Sequence, residues 1–181
     1  MIIKNSKKEN GFTLIEALVA ISILMIATVS PMSIAQKGLS SASYSKDQMT
    51  ASFLAQDALE FIKNKRDEIG LRTIAPVTGQ PLKWLEGLQL CFSPLNCEID
   101  TTTEIDPIKT FSNSPLKITK NSGVFIKYDL SDSESSKFTR KVNIKVPAVT
   151  DDNEALVTIT VTWPGGSVEI KNFIYNYFGN L

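Results

Sequence analysis

Two sets of residues in this chain have a type and spacing that can do chemistry: a lone carboxylate, Glu16, in an apolar stretch, and a close pair of thiols, Cys91 and Cys97. From Phe12 to Ala35, Glu16 is the only charged side chain. A charge carried toward a bilayer interior costs ~2.5–3.5 kcal/mol on insertion scales, so Glu16 calls for a partner. An acid in a first helical turn gains only ~0.3–1 kcal/mol from the macrodipole, which does not offset that cost. Histidine is absent, which removes serine–histidine and cysteine–histidine catalysis. Two thiolates make half of a tetrahedral zinc site. No enzyme activity, metal site or cofactor is expected.

The elements that position Glu16 are legible around it. Ala17 to Val29 is apolar apart from Ser22 and Thr28, and mild residues extend the run through Ser30, Pro31, Met32, Ser33, Ile34 and Ala35. Crossing a hydrocarbon core of ~30 Å takes roughly 20 helical residues at about 1.5 Å each, and this run suffices. Lys4, Lys7 and Lys8 hold the leading end in the cytoplasm, so the expected orientation is N-in, with everything after Ala35 outside. A secretory signal peptide places small residues after its apolar run. Gly11 precedes this one, so cleavage there leaves the hydrophobic helix on the mature chain.

Lys7, Lys8 and the run Gly11-Phe12-Thr13-Leu14-Ile15-Glu16, followed by the apolar stretch and Pro31, resemble the prepilin-type N terminus of type IV pilins and of the pseudopilins of type II secretion. The resemblance covers about the first quarter of the chain. It implies that a prepilin peptidase in the membrane cuts between Gly11 and Phe12 and methylates the new amine of Phe12. That amine, with a reference pKa of about 7.7–8.0, carries positive charge at neutral pH and suits Glu16 as a partner. Glu16 lies four residues from Phe12, so pairing within one chain is geometrically possible. Pairing with a neighbour's amine neutralises both charges and sets the register between subunits, and the resemblance implies this second role. Pro31 removes a backbone donor inside the apolar run and is expected to kink or locally open the helix, with Gly38 as a second weak point. In the family such a weak point lets the helix stretch within a filament; a permanent kink is the alternative.

The 181 residues allow one membrane helix and one soluble domain of about 110 to 140 residues. The expected division is a leader over 1–11, a transmembrane and filament-core helix over 12–35, its amphipathic continuation over 36–69, and a globular head over 70–181. Formal net charge is +0, and removing the leader's three lysines and Glu9 leaves −2. That is no nucleic-acid footprint, and no strong nucleic-acid binding is expected. In an oxidising compartment Cys91 and Cys97 can close a small loop over Phe92 to Asn96, worth roughly 2 kcal/mol less any strain. Two free buried thiols are the alternative. Major pilins often carry a disulfide nearer the C terminus, and this chain has no cysteine after Cys97.

After polar residues from Ser40 to Gln48, apolar positions return at Ala51, Leu54, Ala55, Ala58, Leu59 and Ile62, one stripe of a helix. The stripe suits packing on the chain's own sheet, or a coiled-coil contact with a partner. Lys63, Lys65 and Arg66 fit a last turn, with Gly70 as the stop. From Arg72 to Pro115, prolines and glycines break the pattern into a variable loop region with short strands, anchored by Trp84, Leu85, Leu88, Leu90 and Phe92. Asp100, Glu104 and Asp106 match no EF-hand spacing and read as a solvated loop.

The remainder reads as strands: Val124 to Tyr128, a polar turn over Ser131 to Ser136, a strand from Phe138 to Val146 alternating from Arg140, a turn over Asp151 to Glu154, a strand from Ala155 to Trp163, the Pro164-Gly165-Gly166 turn, and a strand from Ser167 to Tyr175. Short turns between consecutive strands imply an antiparallel meander. The expected fold class is α+β, a long N-terminal helix whose second half packs on a C-terminal antiparallel sheet, pilin-like.

The pattern Arg140-x-Val142-x-Ile144, then Val157-x-Ile159-x-Val161-x-Trp163, looks like the minor pilins and minor pseudopilins, as does Leu54-Ala55-Gln56 with Glu60. The resemblance thus implies a structural subunit held in the cytoplasmic membrane until a motor ATPase and a membrane platform draw it into a filament or tip complex with other pilins. It covers pilus, secretion pseudopilus and DNA-uptake filament alike. The alternative class is an adhesion or cargo- or DNA-binding minor pilin, with the loops from Trp84 to Pro115 touching a surface, secreted cargo or DNA.

Overall fold

The computed structural model describes residues 11–73, 84–103, 105–120, 123–126, 133–146 and 153–177. One helix, α1 (Leu14–Thr73), is followed by strands β1 (Cys97–Ile99), β2 (Ile108–Thr110), β3 (Lys117–Thr119), β4 (Phe125–Ile126), β5 (Ser133–Ser135), β6 (Thr139–Lys145), β7 (Glu154–Trp163) and β8 (Gly166–Tyr175). The chain forms two units, the first ending at Tyr44 and the second beginning at Ser45.

In the first unit every large apolar side chain described, from Phe12 to Leu39, is exposed. A helix apolar on all sides belongs in a large core or a membrane, and the described residues put no protein core around this segment. Its hydroxyls are satisfied within the helix: Ser22 Oγ donates to the Leu18 carbonyl at 2.8 Å and Thr28 Oγ1 to that of Leu24 at 3.0 Å. Neither presents an unpaired donor to lipid, where an unmet hydrogen bond is most costly. The helix continues through Pro31 and Gly38.

The second unit has a conventional core. Ala51, Leu54, Ala55, Ala58 and Ile62 of α1 are buried and Leu59 partly so, as the stripe predicts. They pack with Val142 and Ile144 of β6 and with Ala155, Val157, Ile159, Val161 and Trp163 of β7 in one cluster, so the chain's own sheet takes the stripe. Burying each large aliphatic side chain contributes about 1.5–3 kcal/mol.

The main sheet has the order β2-β1-β6-β7-β8, all antiparallel. β6, β7 and β8 form the expected meander, with Val142 opposite Ile159 and Ile159 opposite Ile170. β1 and β2, from the loop region, extend this sheet beyond β6. A second sheet has the order β4-β3-β5.

Three expectations change. Ser133–Ser135 is strand β5, not part of a turn: its backbone pairs with β3, Ile118 opposite Glu134, and that ladder outweighs the turn preference of serine. Leu90 is 42% exposed rather than in the core; Leu88, which caps the Gln89–Cys91 3-10 turn, and Cys91 at its end take the buried positions. α1 runs past Gly70 to Thr73, its last turns braced by ion pairs of Glu68 with Lys65 and Arg72. Tyr128, Ser131, Asp132, Asp151 and Asp152 lie outside the described residues, and Glu154 opens β7.

Candidate functional site

The N-terminal site is built by a cap. Gly11, Phe12 and Thr13 precede α1 as non-helical chain. Thr13 Oγ1 accepts from the Glu16 N–H at 3.3 Å, and the Thr13 carbonyl accepts from the Ala17 N–H at 3.2 Å. Thr13-x-x-Glu16 has the spacing of a capping box, a signal in the sequence that reading Glu16 as a lone acid misses. The cap fixes where the helix begins and puts Glu16 in its first turn. Its carboxylate meets the positive end of the helix dipole, and among the described residues no cation pairs with it. Phe12, 76% exposed, stands just ahead.

Gly11 is not required by the fold. A Cβ built on it meets nothing within 4 Å, and its backbone is not left-handed. Gly38 has the same open surroundings, so its cost to the helix, about 1 kcal/mol against alanine, has no packing reason.

In the second unit Cys91 and Cys97 are joined as a disulfide with Cα atoms 4.6 Å apart, both fully buried. The loop they close is tied to β6 by the Ser93 N–H donating to the Ile144 carbonyl at 2.8 Å and by Asn143 Nδ2 donating to the Leu95 carbonyl at 2.6 Å. The acidic residues of the loop region are not brought together as a ligand set: Asp100 is buried and accepts from Thr102, Asp106 is exposed with φ 48°, and Glu104 lies outside the described residues.

Arg140 shares the inward phase of β6 with Val142 and Ile144, a cation where the alternation calls for an apolar side chain. It is buried between sheet and helix. Its Nη1 donates to the Leu54 carbonyl and to Asp57 Oδ2, and its Nη2 to the Ile99 carbonyl, each at 2.8 Å. Alanines at 51, 55 and 58 leave little bulk between helix and sheet, which lets a β6 side chain reach a helix carbonyl. Burial lowers the Arg140 pKa, opposed by its hydrogen bond to Asp57 and the charges of Asp57 and Asp100.

Residues 6–30 match the family model of the prokaryotic N-terminal methylation motif. No curated protein and no solved structure gives a significant match. The motif, the capped apolar helix behind it and the antiparallel sheet that takes the helix's amphipathic half support a type IV pilin-like protein.

Proposed function

We propose that the chain is a minor subunit of a type IV pilus or type II secretion pseudopilus. Prepilin peptidase cuts it between Gly11 and Phe12 and methylates the Phe12 amine. The apolar helix holds it in the cytoplasmic membrane, N terminus inside, until the assembly platform moves it into an extracytoplasmic filament. Glu16 then pairs with the Phe12 amine of a neighbouring subunit and sets the register. Pro31 and Gly38 provide the points at which the helix can lengthen during that transfer.

The observation that carries this reading is an apolar helix surface exposed on all sides with, in its first turn, one carboxylate that no cation pairs with among the described residues. Lipid satisfies the apolar surface but leaves the carboxylate without a counter-ion, whereas a bundle of like helices satisfies both. The position of the disulfide, with no cysteine after Cys97, supports the minor role. The test is the Glu16→Ala variant in the native host: cleavage and methylation proceed normally while the protein disappears from sheared filaments or the assembly complex. Incorporation at the wild-type level refutes the assignment of Glu16.

A further inference from the structure

The solvent face of the main sheet carries a polar array. β7 presents Thr158, Thr160 and Thr162 at every second position, with Lys141 of β6 opposite Thr160 and Thr139 opposite Thr162. On the other flank β8 sets Glu169 opposite Thr160. The segment after β2 stands beside this array. Phe111 and Asn113 close a cleft of ≈120 Å³ with Thr139, Lys141, Thr160 and Thr162.

The wall of the cleft is held in place by hydrogen bonds. The Phe111 N–H donates to the Asn96 carbonyl at 3.0 Å. The Ser112 N–H and Oγ donate to the buried Glu98 carboxylate at 3.2 and 3.0 Å. Ser112 and Ser114 share a hydroxyl–hydroxyl bond of 2.7 Å. Between them Asn113 holds φ 57°, a conformation that a non-glycine residue rarely adopts. Phe111 and Asn113 therefore reach the cleft from a fixed backbone.

Its chemistry selects a ligand class. Three hydroxyls and an amide each donate and accept, one ammonium donates, and one aromatic side chain supplies apolar surface. A phosphate or sulfate is best met by several cations or converging backbone donors, whereas this cleft has one lysine and Glu169 nearby. An apolar side chain would find one apolar residue among six. Vicinal hydroxyls need partners that both donate and accept, and the C–H face of a pyranose needs an aromatic surface. We propose that this cleft binds one pyranose unit of a glycan, Phe111 meeting the C–H face and Asn113, Lys141 and the threonine hydroxyls meeting the ring hydroxyls. The assignment stands on the second unit alone and does not depend on filament assembly.

The test is an amide-shift titration of the full chain in amine-oxide micelles, which carry neither sugar nor phosphate. The probes are the methyl glycosides of glucose, galactose and N-acetylglucosamine, with inorganic phosphate as the competing chemistry. The expected result is saturable shifts confined to residues 111–113, 139–141 and 160–162 with at least one glycoside, at about millimolar affinity. Phe111→Ala weakens them at least ten-fold. Thr160→Val, which keeps the side-chain shape and removes one hydroxyl, does so as well and covers the case in which Phe111→Ala fails to fold. No saturable shift with any glycoside, shifts unchanged in Thr160→Val, or saturation by phosphate alone overturns the proposal.

Discussion

Arg140 of β6 meets Asp57 of α1 at 2.8 Å, with the Arg140 side chain 3% exposed and that of Asp57 48% exposed. The pair is therefore asymmetric. Replacing the arginine strands the buried Ile99 carbonyl, whereas water can reach the aspartate. Arg140→Met is expected to destabilise the second unit by about 1–3 kcal/mol, the cost of unmet buried hydrogen bonds. Asp57→Asn is expected to cost less than about 1 kcal/mol. Thermal unfolding of the full chain in micelles, followed by near-UV circular dichroism, gives the order, and equal losses contradict it.

Glu68 closes the last turns of α1. Its hydrogen bond to Lys65 is the largest influence and lowers its pKa from the usual 4.5; burial opposes this, and the charges of Lys65 and Arg72 with a hydrogen bond to Arg72 add to the lowering. A carboxyl whose folded pKa is lowered stabilises the fold above its unfolded value, and that help is lost as pH falls through the folded one. Amide protection over residues 65–73 is thus expected to be flat above about pH 5 and to fall below the usual carboxylate pKa. Glu68→Gln is expected to remove this acid-induced loss; an unchanged pH profile in that variant contradicts the assignment.

The Cys91–Cys97 bond closes a short loop whose ends are both buried. Replacing both cysteines by alanine is expected to cost about 2 kcal/mol by loop entropy. Intact mass without reductant is expected to lie two hydrogens below the reduced value. A mass that reductant does not change contradicts the bond.

Gly38 stands in open surroundings within α1, just past the apolar run. Gly38→Ala is expected to stabilise that turn by about 1 kcal/mol and to slow amide exchange over residues 34–42 roughly five-fold. If the weak point serves filament transfer, the same variant lowers the amount of protein in filaments. Unchanged exchange contradicts the local effect, and unchanged incorporation contradicts the role.

What could be read from the residues divides along physical lines. The stripe from Ala51 to Ile62 and the alternation in β6 and β7 repeat often enough to declare their elements and buried faces. β1 and β2 are three residues each, too short for any periodicity, so their addition to the main sheet depends on pairing that only the folded chain shows. Ser133–Ser135 has the composition of a turn and becomes a strand through its partner β3. Arg140 occupies an inward position of its strand, but three of its partners, Leu54, Asp57 and Ile99, lie far from it in sequence. At the N terminus the motif is legible because it is a run of near-consecutive residues, and it matches a family model over residues 6–30, whereas the Thr13 cap escapes a reading centred on charge.

The central claim is that a leader is removed ahead of the apolar helix and the helix stays. Intact-mass analysis and N-terminal sequencing of the chain extracted from native membranes test it most directly. The expected product begins at Phe12 and carries one extra methyl group on its amine. A product that begins at Met1, or at any residue after Ala35, contradicts the account.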